Sequence, residues 1–416
     1  MFKNKELYKK IAISAMVLFV LYCFRFIPII GIKKDVLSYL ANKNNFLGFI
    51  NLLSGNGIKN LSIMSLGITP FITSSIIIEL SKTLSENLYD LSNNGEFGRK
   101  KIEKLTYFIA GVFAILNSYA IVNYLIYNNI ITDSIINKMI SIISLFIGTA
   151  ISLIGAKIID NHGFGDGISL ILFFNIINGL VNNFYLMLKE MTILFNSDKS
   201  ILKYIIVIMV LIVLFIMSFI FDRKNTYVNI NSSRIILDTK DSAIPIKVNA
   251  NGVMPVIFTN TIMSMPALLF EFIDKKENTF IKVFDMNNWF DKNELFFSIG
   301  YLVFALLLFL FTLYYAKIAY DPFEVAMKMK ESGISVDGIN NTKKTALYLS
   351  EIIIDNALKS FGFMIIIATI PILINNMLLI KISFTGTSFI IISSILNNLI
   401  DERKYYQIKS GFSLKR

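Results

Sequence analysis

Gly67-Ile68-Thr69-Pro70-Phe71-Ile72 opens one apolar stretch of the chain, and Gly252-Val253-Met254-Pro255-Val256-Ile257 opens another far downstream. Both read G-x-x-P-x-I. Hydropathy divides the chain into ten predicted spans: Ile11–Ile30, Ile68–Leu84, Leu105–Ile126, Ile136–Ile159, Ile168–Leu188, Ile201–Phe221, Val253–Ile273, Leu295–Ala316, Leu347–Ile374 and Phe384–Ile400. The echoed hexapeptides open the second span of the first five and the second span of the last five. An odd number of helices per half makes the halves antiparallel in a membrane, so the echo predicts an inverted repeat. Such repeats enclose a midplane path lined by interrupted helices. The fold class expected is an all-α polytopic membrane protein. Its ten transmembrane helices form two inverted five-helix halves, 1–200 and 201–416, around a central pore.

The composition agrees. Hydrophobic residues make up 55% of 416 residues, charged residues 17%, and the mean hydropathy is +0.63. A soluble chain of this size needs more polar surface, so lipid is the expected solvent. The first span is too long for a signal-peptide core, carries Arg25 and lacks a small-residue cleavage site after it, so it is expected to stay. Arg25, toward one end of that span, is expected to snorkel outward. In the long ninth span Glu351, Asp355 and Lys359 belong at the interface, because deeper in lipid they would be costly. Loops on the side of the two termini hold nearly twice the Lys and Arg of the opposite loops, which places both termini in the cytoplasm.

Two connecting segments stand out. Residues 31–67 contain Phe46, Leu47, Phe49, Ile50, Leu52 and Leu53, followed by Ser54-Gly55-Asn56-Gly57. This run is too short to span and too apolar to float in water. It reads either as an interfacial helix or as a short helix tucked into a cavity of the same protein. In 222–250, Val228 and Ile230 alternate with polar residues, as do Ile244, Ile246 and Val248, predicting a two-stranded projection.

With these stretches in hand, the chain resembles the SecY family of protein-conducting channels. The second span from Gly67 to Leu80 is similar to that family's pattern, as is Gly163-Phe164-Gly165-Asp166-Gly167-Ile168-Ser169. So are Ile244-Pro245-Ile246-Lys247-Val248-Asn249 running into Gly252-Val253-Met254-Pro255, Asp321-Pro322-Phe323-Glu324-Val325-Ala326, and Gly386-Thr387-Ser388. Order and spacing agree over nearly the whole chain. Two positions depart: Asn340 stands where the family usually has an arginine, removing a fixed guanidinium fork, and Glu79 stands where glutamine is commoner. These departures fit a divergent or accessory member. Glu79 is expected near the cytoplasmic end of its span or facing the pore.

The resemblance implies a channel that moves unfolded preproteins across the membrane and releases hydrophobic segments sideways into lipid. It implies a plug at about 47–60 including Phe49, Ile50, Leu52, Leu53, Ser54 and Gly55, and a constricting ring of Ile72, Ile76, Leu172, Ile176, Ile257 and Ile391. Aliphatic side chains suit a seal, since they cannot replace an ion's hydration and favour dewetting. A lateral gate between spans two and three on one side and seven and eight on the other would include Thr73, Asn117, Thr259 and Asn260. Such interhelical hydrogen bonds are worth about 0.6 kcal/mol on average, weak enough to open. Docking of cytoplasmic partners would use Arg223, Lys224, Arg234, Lys240, Lys328, Lys330, Lys343 and Lys344, on loops 222–250 and 317–346. Basic patches of this kind can contact rRNA phosphates, though the positive-inside bias and anionic lipid account for the same charges.

The partners implied are SecE-like and SecG-like small membrane subunits, a motor ATPase of the SecA type, the ribosome, signal-sequence-bearing preproteins and membrane lipid. The setting implied is a bacterial-type plasma (inner) membrane. No cofactor, metal site or catalytic residue is expected: His162 and Cys23 are single residues of their types, and no G-x-x-x-x-G-K-[ST] or H-E-x-x-H occurs. Gly163–Gly167 reads as a tight turn rather than a phosphate loop. The alternative reading is a secondary transporter, which also uses inverted repeats but needs ionisable residues at mid-membrane for ion coupling.

Overall fold

A computed structural model describes residues 5–31, 61–127, 131–193, 198–232, 243–250, 252–273, 279–284, 286–290, 295–339, 341–378 and 385–412. The chain is dominated by helices: α1 (Lys5–Phe24), α2 (Thr69–Leu84), α3 (Glu86–Asn93), α4 (Gly95–Tyr127), α5 (Ile135–His162), α6 (Gly167–Ile193) and α7 (Asp198–Phe221). Beyond strands β1 (Asn225–Ser232) and β2 (Ala243–Lys247) come α8 (Met254–Ile273), α9 (Thr279–Phe284), α10 (Ser298–Ala319) and α11 (Pro322–Glu331). Strand β3 (Ile334–Val336) and helices α12 (Thr342–Leu378) and α13 (Gly386–Phe412) complete the order.

Each of the ten predicted spans overlaps one of these helices. Among the described residues, seven stretches are long and apolar enough to cross a membrane, and they lie in α1, α4, α5, α6, α7, α10 and α12. Their outer faces confirm the solvent. On α7, for example, Leu202, Ile205, Met209, Ile212, Ile216 and Ile220 are all exposed. A continuous apolar surface of this kind is stable against lipid and not against water.

Three further apolar helices, α2, α8 and α13, coincide with the remaining predicted spans. α2 has only 16 residues. All three carry buried polar side chains: Thr69, Thr73 and Ser74 on α2, Thr259, Asn260 and Thr261 on α8, and Thr387, Ser388, Ser393, Ser394 and Asn397 on α13. A helix enclosed by protein can hold hydroxyls and amides that a lipid-facing helix cannot.

The chain forms two compact units, one of 1–192, 260–297 and 398–416, the other of 193–259 and 298–397. In the first, Ile29, Leu61, Leu66, Ile121, Val122, Leu125, Ile131 and Leu145 make a core beside the adjoining ends of α4 and α5. The stretches on either side of residues 32–60 are tied together there. Ile29 N–H donates to the Leu61 carbonyl at 2.8 Å and Ile63 N–H to the Ile27 carbonyl at 3.0 Å, around a Pro28–Ser62 antiparallel bridge. Gly148 of α5 lets this strand-like segment approach, because a Cβ there would meet the Ile63 carbonyl oxygen at 1.9 Å.

In the second unit the predicted two-stranded projection is a three-stranded antiparallel sheet of order β2-β1-β3. β1 pairs with β2 in the register Val228 to Ile244 and with β3 in the register Ile230 to Val336. The third strand has only three residues, too few for alternation to show in sequence. Val228, Ile230 and Ile246 pack with Ala326 and Met329 of α11, Val336 of β3, and Ala346 and Leu349 of α12. Asp321 caps α11, its carboxylate accepting from Phe323 N–H at 2.9 Å, with Pro322 in the first helical position.

Candidate functional site

The two G-x-x-P-x-I openings have the same local structure. Gly67 (φ 52°) and Gly252 (φ 58°) both lie in the left-handed region, which glycine occupies without a Cβ clash. Gly67 N–H donates to the carbonyl three residues back, on Met64 (3.0 Å), and Gly252 N–H to that of Asn249 (3.4 Å). α2 then begins at Thr69 and α8 at Met254, so Pro70 and Pro255 each fall in the first turn, where a missing N–H costs nothing. Ile72 N–H closes the first turn onto the Ile68 carbonyl (3.2 Å), and Ile257 N–H closes its own onto the Val253 carbonyl (3.1 Å). The echo therefore marks an equivalent helix start in each place, with Ile72 and Ile257 in the equivalent position.

Of the six residues assigned to a ring, Ile72 and Ile76 stand one turn apart on α2 and Leu172 and Ile176 one turn apart on α6, all in the first unit. Ile257 of α8 and Ile391 of α13 belong to the second. All six are buried. On α6 the buried residues Leu172, Asn175, Ile176 and Gly179 follow the i, i+3, i+4, i+7 spacing of a single helix face. Phe49, Ile50, Leu52, Leu53, Ser54 and Gly55, the residues assigned to a plug, lie outside the described residues.

The four residues assigned to a gate are not joined to one another by hydrogen bonds among those described. Thr73 Oγ1 donates to the Thr69 carbonyl (3.2 Å) and Thr259 Oγ1 to the Pro255 carbonyl (2.7 Å), each within its own helix. Asn117 of α4 is half-buried. Asn260 is 1% exposed, and neither atom of its amide finds a partner among the described residues.

Below the second helix start lies a buried polar network that sequence reading missed. Asn249 Nδ2 donates to Asp222 Oδ1 (2.6 Å), and Asn397 Nδ2 donates to Asp222 Oδ2 (2.9 Å). Arg223 Nε donates to Asn397 Oδ1 (2.6 Å) and Ser360 Oγ to Asn249 Oδ1 (3.2 Å). This network ties the end of α7 to α12, α13 and the residue three before Gly252. The one available signal was Asn249 itself, in the stretch shared with the family.

Among the docking residues, Lys224, Lys330, Lys343 and Lys344 are exposed, while Lys328 pairs with Glu324 at 2.6 Å. Arg223 is held by Asn397 and lies 4.6 Å from the centroid of the Phe219 ring. Arg234, Lys240 and Asn340 lie outside the described residues. Lys343 and Lys344 follow directly on the first residue of α12, where positive charge opposes the helix dipole by roughly 0.3–1 kcal/mol each. Fold stability does not account for them.

Glu79 is half-buried and bonded to Lys82 at 3.1 Å. Glu351, Asp355 and Lys359 are exposed, with Lys359 on Asp355 at 2.6 Å. Gly163–Gly167 is a turn between α5 and α6. Its Phe164 N–H and carbonyl both bond Ser14 Oγ, and Asp166 caps α6 through Ser169 N–H.

The model of the SecY family matches residues 62–400. The chain is 27% identical to a protein translocase subunit SecY of Mycoplasma pneumoniae, covering 99% of this chain and 90% of that protein. To the protein of the same name from Buchnera aphidicola it is 30% identical, covering 96% and 93%. Among solved structures it resembles a protein-conducting channel (TM-score 0.74, 15% identity, 99% and 95% covered). It also resembles a SecY protein whose plug domain is described as stabilising the closed translocation channel (TM-score 0.71, 14% identity, 99% and 95%). Sec61 of a canine ribosome–channel complex is similar at TM-score 0.71 and 14% identity, with the same coverage.

Proposed function

The chain belongs to the SecY family, and from that membership we propose that it is a protein-conducting channel subunit that passes unfolded preproteins across a membrane and releases apolar segments into lipid. The observation that carries this reading is the pair of matched helix starts at Gly67 and Gly252. They deliver Ile72 and Ile257 in equivalent positions on helices that also bury threonine side chains, Thr69 and Thr73 on one and Thr259 and Thr261 on the other. A passive conduit needs helices of that kind at its centre, and ten spans in two inverted halves would supply one from each half.

In this reading Ile72, Ile76, Leu172, Ile176, Ile257 and Ile391 form the seal, and residues 47–60 form the plug. Thr73, Asn117, Thr259 and Asn260 line the lateral gate. Both termini face the cytoplasm. The exposed lysines of α11 and α12, on elements that share the core of the small sheet, offer a basic surface to a ribosome or a SecA-type motor. SecE-like and SecG-like subunits complete the assembly.

Reconstitution tests this directly. Proteoliposomes holding the chain with its co-purifying subunits should protect a signal-bearing preprotein from added protease only when a motor and ATP are supplied. Uptake of a small solute driven by an ion gradient, with no protected preprotein, would instead establish the transporter reading.

A further inference from the structure

Arg25 follows directly on α1, inside the first apolar stretch of the sequence, and is 6% exposed. It does not snorkel as expected. Its Nη2 donates to Oδ1 of Asn175 on α6. The guanidinium lies 5.6 Å from the centroid of the Phe174 ring and 6.0 Å from that of Tyr22. Tyr22 meets Phe174 and Phe26 edge to face, at 5.9 and 5.2 Å, so aromatic rings hold the cation on more than one side. The reason for the departure is local: an amide and two aromatic faces within reach replace hydration better than a longer route to the headgroups would. Ionisable side chains inside a membrane are costly and mark function by default, and nothing above uses this one.

Its target is informative. Asn175 is 3% exposed and lies on the same buried stripe of α6 as Leu172 and Ile176, one residue from the second and three from the first. A planar guanidinium bonded to that amide and flanked by rings fixes both the rotation and the height of the stripe. A lysine ammonium, a point charge on a flexible stem, fixes neither.

We propose that Arg25 is a positioning residue: through Asn175 it sets where Leu172 and Ile176 stand in the constriction, and so how tightly the channel seals. The inference rests on the ring assignment made above.

The test is ion leak in planar bilayers and export of a reporter with a defective signal, measured on the chain with its co-purifying subunits. Arg25→Gln and Asn175→Leu should each raise leak several-fold, and Arg25→Lys should leak as Arg25→Gln does. Asn175→Asp, which keeps the acceptor, should restore the wild-type seal. The double variant Arg25→Gln/Asn175→Leu should leak no more than the worse single variant, because both remove one coupling. Detergent melting midpoints are taken alongside, since a purely structural role predicts leak that follows stability whichever residue is changed.

Additive leak in the double variant, or an intact seal in Arg25→Lys, overturns the proposal. If Arg25→Gln does not accumulate, Arg25→Lys with the two Asn175 variants decides the matter alone. Ile176→Asn is the control for the premise. Leak there with silence at Arg25 and Asn175 sinks the inference and leaves the ring standing, whereas silence at all three sinks both.

Discussion

Asp222→Asn should weaken the second unit far more than a change of one atom implies. The side chain is 7% exposed and receives Asn249 Nδ2 on one oxygen at 2.6 Å and Asn397 Nδ2 on the other at 2.9 Å. Turning the Asn397 amide would forfeit its bond from Arg223, and turning Asn249 would require the Ser360 hydroxyl to change from donor to acceptor. Asn397 Oδ1 is committed to Arg223 Nε at 2.6 Å and Asn249 Oδ1 to Ser360 Oγ at 3.2 Å. Asparagine at 222 therefore keeps one acceptor and sets an NH2 group against another NH2 group at the second. A lost hydrogen bond to a charged group is worth about 1.5–3 kcal/mol and a buried unsatisfied donor costs about 1–3 kcal/mol, giving roughly 2.5–6 kcal/mol together. Thermal unfolding in detergent should show a midpoint several degrees lower. Asp222→Asn/Asn397→Asp, which restores a donor–acceptor match and keeps Arg223 paired, should recover much of the loss. Because Asn249 anchors the approach to Gly252, ion leak should rise as well. A midpoint within about a degree of the parent, or no recovery in the exchanged pair, would refute the reasoning.

Polar substitution at Ile76 or Ile391 should raise ion leak and admit reporters with defective signals; normal rejection of those reporters would remove these residues from the seal. Deleting 48–56 should raise resting conductance in planar bilayers, and an unchanged baseline would count against the plug assignment. Gly67→Ala and Gly252→Ala should each cost roughly 1–2 kcal/mol from the left-handed backbone alone. Equal melting midpoints for either variant and the parent would show that the helix start tolerates another geometry. Lys343→Glu/Lys344→Glu should lower binding to ribosomes or motor while leaving the melting midpoint unchanged or slightly raised, since the exchange suits the dipole of α12; undiminished binding would return these lysines to the positive-inside bias.

How far sequence reached depended on the kind of signal. Long apolar runs are read against a fixed solvent, so helices such as α7 and α12 were legible almost to their ends. The hexapeptide echo was legible because glycine and proline impose backbone geometry on their own. The sheet was legible only where alternation ran long enough, which is why β1 and β2 were foreseen and β3 was not. Arg25 was misjudged because snorkelling is a rule about an isolated helix, and Asn175 lies on another helix 150 residues away in sequence. The network around Asp222 escaped for the same reason: its members come from α7, α12, α13 and a connector, and no spacing along the chain brings them together. The two compact units also do not follow the 1–200 and 201–416 division, since 260–297 and 398–416 group with the N-terminal residues. Contact grouping and ancestry by repeat are separate properties, and the echo speaks only to the second.

The tie between Ile27–Ile29 and Leu61–Ile63 carries a consequence for how such a protein can vary. Two backbone hydrogen bonds bring the flanks of residues 32–60 side by side, so both ends of that stretch are anchored at one place. Lengthening, shortening or exchanging a stretch with neighbouring exits barely disturbs the frame, because closing a longer loop adds little entropy cost. Grafts from relatives with a stretch of another length should therefore fold, so its length can change while the frame that anchors its two ends stays the same.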